Sequence, residues 1–220
     1  YVLSELWGNP PDPGTLGLLM PAGITPFHSG SWAVEIYFDE IGYVSDEDAN
    51  DYDYTTLLTT MKADTRESST WRTQNGYDSI ELVGWAAEPF YDQENRKLHW
   101  AKELRFAGGE ETTLNYNIRA LGRKGVLVMN FIAGMEELAV VEQTAPQVMA
   151  MTNFTQGNTY SDFNPSIDAV AAVGIGGLIA GKVLAKTGFL VTALLLLKKF
   201  WFVLLIPLIA LKNVIFGRKD

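Results

Sequence analysis

A glycine-rich segment near the C-terminus has nearly the spacing of a phosphate-binding loop. Residues 174–188 read GIGGLIAGKVLAKTG, in which Gly176, Gly181 and Lys182 match the glycines and lysine of that loop. The loop also needs a serine or threonine after the lysine to hold magnesium, and a strand before its glycines. Here Val183 follows the lysine, and no βαβ pattern surrounds the segment. The spacing therefore does not favour a nucleotide site, and we expect no cofactor.

The residues available for catalysis are few. The chain has no cysteine, which excludes disulfides, cysteine-based zinc sites and cysteine nucleophiles. His28 lies beside two serines in FHSGSW, but no G-x-S-x-G elbow accompanies it, and His99 is expected as an ordinary half-buried strand residue. Two isolated histidines also make a poor metal set. An enzyme would need a deep pocket in which acids converge with His28 or His99, so this class is the least favoured.

An acidic run, YVSDEDANDYDY over residues 43–54, offers oxygen ligands for a cation such as calcium. The candidate ligands are Asp46, Asp48, Asp51 and Asp53. The run is not an EF-hand, because Asp51 and Leu57 stand where that loop has its glycine and its glutamate. The alternative is a solvated loop that caps the following helix, since carboxylates are favoured at helix N-termini.

The elements that would position these residues follow from hydrophobic periodicity and turn signals. The predicted strands are 32–38, 80–92, 97–106, 113–121 and 125–133, and the predicted helices are 54–72 and 135–151. Pro146 is expected to kink or break the second helix. The order of these elements predicts an α+β fold, with helices packed on an antiparallel sheet.

Charge and hydrophobicity divide the chain. Residues 1–167 contain 24 acids and 10 bases, whereas residues 168–220 contain 2 acids and 7 bases. We therefore expect three parts: an acidic domain at 1–151, a linker at 152–167 and a membrane-anchoring tail at 168–220. The acidic domain should not bind nucleic acid, because duplex binding depends on lysine and arginine at the phosphates.

The tail is long enough to cross a bilayer once or twice. Windows 169–189 and 188–211 each reach the roughly 20 apolar residues that a span requires. Lys198 and Lys199 lie near the middle of the second window, followed by an aromatic cluster that includes Trp201. Lysines next to aromatic residues are typical of an interfacial anchor, which favours a break at this point.

Small residues recur every four positions at the start of the tail. Such spacing lets helices approach closely within a bilayer, which predicts a helix-packing face in a homo-oligomer. The residues of that face are Gly176, Gly177, Gly181 and Ala185. The alternative is a glycine-rich span without a partner helix.

Lys182 and Lys186 lie one turn apart on the same helical face. In a ring of helices they could line a water-filled path, as intramembrane charges often do. The alternative is that both side chains extend to the headgroups.

Several segments together resemble a known family. These are WGNPP, GLLMPAG, WAVEI, GYVSDEDA, ELVGWAAEPFYD, KLHWAKELRF and TLNYNIRALGRKGVLVMN, followed by the hydrophobic tail. They resemble the bacterial membrane-anchored family called domain of unknown function 2167 over roughly the whole chain. The resemblance implies a secretion signal, an extracytoplasmic domain and a C-terminal anchor in the cytoplasmic (inner) membrane, and the start at Tyr1 is expected to reflect processing or truncation. It implies no catalytic residue.

Taken together, these features predict a non-enzymatic protein of the bacterial envelope. The expected partners are the lipid bilayer, further copies of the chain and another envelope protein, for which this chain would be a scaffold or accessory. A channel or transporter subunit with lysine-bearing membrane helices is the alternative. The two differ in whether Lys182 and Lys186 face water or headgroups.

Overall fold

The computed structural model describes residues 1–10, 13–109 and 111–182, whose strands form one antiparallel sheet. In chain order the strands are β1 (Thr15–Leu19), β2 (Ala33–Asp39), β3 (Ile80–Asp92), β4 (Lys97–Phe106), β5 (Thr113–Leu121) and β6 (Val126–Gly134). Their spatial order is β1-β2-β6-β5-β4-β3. The helices are α1 (Tyr54–Gln74), α2 (Leu138–Ala150) and α3 (Ile175–Ala180). The predicted α+β class with an antiparallel sheet and packed helices is confirmed.

The centre of the sheet is a regular hairpin. Strands β5 and β6 pair without a register shift from Thr113↔Gly134 to Leu121↔Val126. Gly125 ends the turn, and a Cβ there would strike the backbone carbonyl of Asp39 on β2. This close approach explains why the turn sequence GRKG ends in glycine.

The first face of the sheet packs against α2. Alternate residues of the strands point to this face, among them Ile118, Met129 and Phe131, and all three are fully buried. They join Val141, Ala145 and Val148, which recur along one side of α2.

The predicted break at Pro146 is wrong, because α2 continues past it to Ala150. Proline removes one backbone hydrogen bond from a helix interior. Burial of the neighbouring residues Ala145 and Val148 against the sheet holds the helix together at that point.

The second face of the sheet carries α1 and α3. Helix α1 packs along β3, burying Leu57 and Met61. Its N-cap is Asp53, whose carboxylate accepts hydrogen bonds from the backbone N–H of Thr55 at 2.9 Å and of Thr56 at 3.2 Å. The acidic run does cap the following helix, as one of the two interpretations of its sequence predicted.

The segment after α2 is irregular, yet it belongs to the domain. The Tyr160 hydroxyl donates to the backbone carbonyl of Val44 at 3.0 Å, and Arg123 makes a two-pronged ion pair with Asp168 at 2.7 and 3.1 Å. Tyr43 stacks on Phe163, with ring centroids 3.8 Å apart. The chain divides into two compact units, Tyr1–Val183 and Leu184–Asp220, so the first unit extends past the boundaries predicted at residues 152 and 168.

The tail beyond Lys182 lies outside the described residues. In the part that the structure does describe, no helix combines the length and hydrophobicity needed to cross a membrane. Residues 175–180, which the sequence placed at the start of the first membrane window, form the short buried helix α3.

Candidate functional site

The carboxylate of Asp46 is occupied by partners within the domain. It accepts a hydrogen bond from the Tyr91 hydroxyl at 2.8 Å and pairs with the guanidinium of Arg96. The Tyr160 hydroxyl, 3.0 Å away, shares its one proton between this carboxylate and the carbonyl of Val44. Burial alone would raise the pKa of Asp46, but these hydrogen bonds and the charge of Arg96 outweigh it and hold the pKa below the usual value. Asp46 is therefore a fixed anion that joins three separate segments.

The other acids of the run have separate roles. Asp48 is 6% exposed and accepts from the Tyr52 hydroxyl at 2.6 Å and from the backbone N–H of Ile175 at 3.2 Å. Asp53 caps α1, and Asp51 is exposed. Across residues 1–10, 13–109 and 111–182, no group of three or more histidine and acidic side chains could hold a metal ion. The structure thus does not bring the four candidate ligands together around one point.

The glycines predicted to form a helix-packing face lie against residues of their own chain. A Cβ on Gly176 would enter the ring of Tyr52, and one on Gly177 would approach Val173 to 2.9 Å. Gly181 ends α3 in the left-handed conformation, with φ of 70°. Ala185 lies outside the described residues. Contact between copies of the chain through these glycines stays a prediction.

The predicted membrane and pore lysines fall mostly beyond the described residues. Lys182 is described, and its ammonium pairs with the carboxylate of Asp64 on α1. Lys186, Lys198, Lys199 and Trp201 lie outside. Lys182 thus connects the end of α3 to α1 through a partly exposed ion pair.

The two histidines lie on different elements, one on a loop and one on a strand. The Nδ1 atom of His28 accepts from the backbone N–H of Thr25 at 3.0 Å, on an exposed loop. His99 lies on β4 beside Phe90, where burial lowers the pKa of its imidazole. Neither ring hydrogen-bonds a serine hydroxyl in the described ranges, which a serine–histidine nucleophile would require.

A cavity that the sequence did not predict lies between α1, α3 and the second face of the sheet. Its volume is about 290 Å³. Its apolar wall includes Met61, Leu82, Leu104, Leu178 and Ile179. Its polar wall includes Lys102, Asn117, Arg119 and Asp64, with Trp100 beside them. Sheet residues line this open cavity on one side, and residues of the two helices line it on the other.

Two cations stand next to one another in this wall. Lys102 on β4 and Arg119 on β5 are both half-buried, and the Arg119 guanidinium lies over the Trp100 ring at 4.9 Å from its centroid. No carboxylate forms an ion pair with either cation among the residues described. Burial and then the charge of Arg119 lower the pKa of Lys102 to about 8. Burial also lowers the pKa of Arg119.

One of the two neutral N–H donors of the wall also lacks an acceptor among the described residues. The Trp100 side chain is 1% exposed, and its Nε1–H has no hydrogen-bond partner within the described part of the chain. Asn117, 3% exposed, uses its amide N–H on the carbonyl and side-chain oxygens of Asn115, at 3.0 and 2.9 Å. The wall therefore offers positive charge and N–H groups rather than a nucleophile with its base.

The sequence contained a signal for this wall. Period-2 alternation along β4 places Lys102 on the same face as Leu98, Trp100 and Leu104. A lysine in such an apolar row is unusual, because lysine is rarely buried without a partner. Alternation in β5 places Arg119 on that face too, but the strand order that makes β4 and β5 neighbours had to be known.

The fold defines an α+β domain in which one six-stranded antiparallel sheet carries helices on both faces. The chain belongs to the family described as "Protein of unknown function (DUF2167)", whose model matches residues 1–209. No curated protein matches the chain in sequence.

Proposed function

We propose that this chain is a non-enzymatic protein of the bacterial envelope, anchored in the cytoplasmic membrane by its C-terminal tail. The observation that carries the proposal is the composition of the chain beyond its first compact unit. The unit Tyr1–Val183 is followed by a largely apolar segment that extends to Leu211. That length suffices for one bilayer crossing of about 20 residues.

The charges support an orientation with the domain outside. Residues 184–220 carry six bases and one acid, four of the bases being at or after Lys199. Positive residues next to a span favour the cytoplasmic side, so a single crossing leaves the C-terminus inside. The acidic domain then lies outside the cytoplasmic membrane, where it is available to envelope partners.

The side-chain contacts within the domain favour a binding or scaffold role over a catalytic one. The acids of the run at 43–54 pair with Arg96, accept from Tyr52 and cap the α1 N-terminus, and the one hydroxyl beside His28 is that of Thr25, on the same exposed loop, within the described part of the chain. The contacts of Lys182 do not support a channel role, because its ammonium forms an ion pair with Asp64.

Cysteine accessibility tests the topology directly, because the chain has no cysteine of its own. Single cysteines are introduced at the exposed Ser166 in the domain and at Lys219 near the C-terminus. The chain is expressed in bacteria from its own gene, and spheroplasts are treated with a maleimide that cannot cross membranes. We expect Ser166→Cys to be labelled in intact spheroplasts and Lys219→Cys to be labelled only after permeabilisation.

The unmodified chain is the blank for this experiment, and carbonate-washed membranes report anchoring. Protection of Ser166→Cys until lysis would overturn the extracytoplasmic placement. Labelling of both cysteines in intact spheroplasts would replace the single crossing with two. Loss of the chain from washed membranes would overturn anchoring itself.

A further inference from the structure

We propose that the cavity between α1, α3 and the second face of the sheet binds a small organic carboxylate, held by Lys102 and Arg119. The inference rests on the described domain alone, so it holds whether or not the tail is anchored in a membrane. The description of the family names no ligand. The evidence for one is the set of side chains that line the cavity.

Neither cation of the cavity wall has an ion-pair partner among the described residues. Removing a cation from water costs free energy unless an opposite charge or hydrogen-bond acceptors replace the water. Lys102 and Arg119 repel each other, and the cavity acid Asp64 is already paired with Lys182. Asp39 and Glu35 are the acids whose charges act on Arg119, and neither forms an ion pair with it. Arg119 donates one N–H to the backbone carbonyl of Ile118 at 3.4 Å, and an anion in the cavity would supply the ion-pair partner that both cations lack among the described residues.

Hydrogen-bonding capacity points the same way. A lysine ammonium has three donors, a guanidinium has five, and neither accepts a hydrogen bond. The buried Trp100 Nε1–H adds a further donor without an acceptor among the described residues. A ligand that satisfies this wall must be rich in acceptors, which a carboxylate is and an amine or alcohol is not.

Size and the apolar wall narrow the ligand further. A cavity of about 290 Å³ is at the lower end of the range for small-molecule sites. A bare inorganic anion would make no apolar contact with the residues that α1, the sheet and α3 contribute, such as Leu178 and Ile179. A carboxylate on a short apolar body fills both parts of the cavity.

Isothermal titration of the detergent-solubilised full chain tests the proposal with three probes. These are sodium hexanoate, 1-hexanol as its neutral counterpart and inorganic phosphate. We expect hexanoate to bind at least tenfold more tightly than either of the others. Equal affinity for hexanol would overturn the role of the cations, and tighter binding of phosphate would overturn the role of the apolar wall. No heat of binding with any probe would overturn the site.

Three variants locate the binding. Lys102→Met and Arg119→Met each remove one cation and keep an apolar chain of similar length. Arg105→Met is the matched control, because Arg105 is an exposed cation on the same strand as Lys102, paired with Glu81 on the neighbouring strand. We expect at least a tenfold loss of hexanoate affinity in the first two variants and no change in the third. Equal affinity in all three would overturn the proposal.

Folding does not confound the Lys102 variant. Because it removes a half-buried charge that has no carboxylate partner in the described ranges, Lys102→Met should unfold at the same temperature as the parent or higher. A thermal melt of each variant before titration verifies this. A lower melting temperature for Lys102→Met would show that the ammonium has an internal partner, and it would overturn the proposal as well.

The pH dependence of binding provides an independent readout. The pKa of Lys102 is about 8, and a bound carboxylate would raise it, so binding should take up a proton above that pH. The charged groups that line the cavity with Lys102 are Arg119 on β5 and Asp64 on α1, and Asp64 is paired with Lys182. We expect hexanoate affinity to fall from pH 7 to pH 9.5 in the parent. An affinity that does not vary with pH would contradict the role of Lys102.

Discussion

At the scale of single residues, Asp46 is the side chain that joins the most distant parts of the domain. It connects Tyr91 and Arg96, at the turn between β3 and β4, with Tyr160 from the segment after α2. Its neighbour in sequence, Asp51, is exposed. A single acidic run therefore contains one residue that stabilises the fold and one that is free to change.

We predict that Asp46→Asn lowers the free energy of unfolding by about 1–3 kcal/mol, because a charge-assisted hydrogen-bond network loses its anion. Urea unfolding at neutral pH measures the loss. Asp51→Asn is the matched control and should change the free energy by less than about 0.5 kcal/mol. Equal effects of the two substitutions would show that the Asp46 network contributes nothing to stability.

The same pair of proteins gives a pH test with a defined sign. The pKa of Asp46 is lower in the folded than in the unfolded chain, so its stabilisation is present above the unfolded pKa and is lost as pH falls through the folded one. The difference in unfolding free energy between parent and Asp46→Asn should therefore shrink below about pH 4, where an aspartate in an unfolded chain begins to take up its proton. A difference that grew on acidification would mean the opposite shift.

The sequence predicted the types of these residues better than their partners. The acidic run was recognised, and the capping role of Asp53 follows from its position before an apolar repeat. The burial of Asp46 and Asp48 was not predictable, because their donors Tyr160 and Ile175 lie more than 110 residues away. Lys102 and Arg119 were missed for a related reason, since their proximity depends on strand pairing.

At the scale of elements, a glycine in α3 allows this helix to pack closely against Tyr52. Gly176 lies against the ring of Tyr52, whose hydroxyl donates to Asp48, and Asp48 in turn accepts from Ile175 of α3. The helix is thus fixed by a contact that allows no side chain at residue 176. This is a requirement within one chain and does not need a second copy.

We predict that Gly176→Ala destabilises the domain by about 1–3 kcal/mol, because the new methyl group overpacks the Tyr52 contact. The gain in helix propensity, about 1 kcal/mol, is too small to offset this. Gly84→Ala is the control, since a Cβ there meets nothing within 4 Å. Thermal melts measure stability, and mass measurement in detergent reports the number of subunits. A change in mass without a change in melting temperature would favour contact between chains instead.

Element prediction succeeded where periodicity was strong. The hairpins β3–β4 and β5–β6 alternate clearly and end at polar turns, and their bounds lie within a residue or two of those predicted. Strand β1 was not assigned as a strand, because TLGLL is short, contains Gly17 and is paired on one side only. It is a strand because β2 offers a hydrogen-bonding edge, which sequence alone does not show.

At the scale of the whole molecule, the domain ends later than its composition suggests. The change from polar to apolar residues near Asp168 predicted the end of the globular part. However, Ile175, Leu178 and Ile179 are buried against the domain. Apolar residues satisfy both a protein core and a bilayer, so hydrophobicity alone does not distinguish the two environments.

We predict that a fragment of residues 1–182 unfolds cooperatively and that a fragment of residues 1–151 does not. The shorter fragment lacks Tyr160 and all of α3, and burial of a large apolar side chain contributes about 1.5–3 kcal/mol. The summed loss is comparable to the whole stability of a typical domain. Circular dichroism melts of the two fragments measure this, and equal melting temperatures would restore the boundary at residue 151.

The bond from Tyr160 to Val44 also bears on the order of events during synthesis. Its two residues are 116 positions apart, and the bond from Ile175 to Asp48 spans 127. A ribosome adds about 5–20 residues per second, so the early segment waits roughly ten seconds for its partners. We expect the nascent chain to stay open to chaperones and proteases during that interval, because its last third closes the structure that its first third begins.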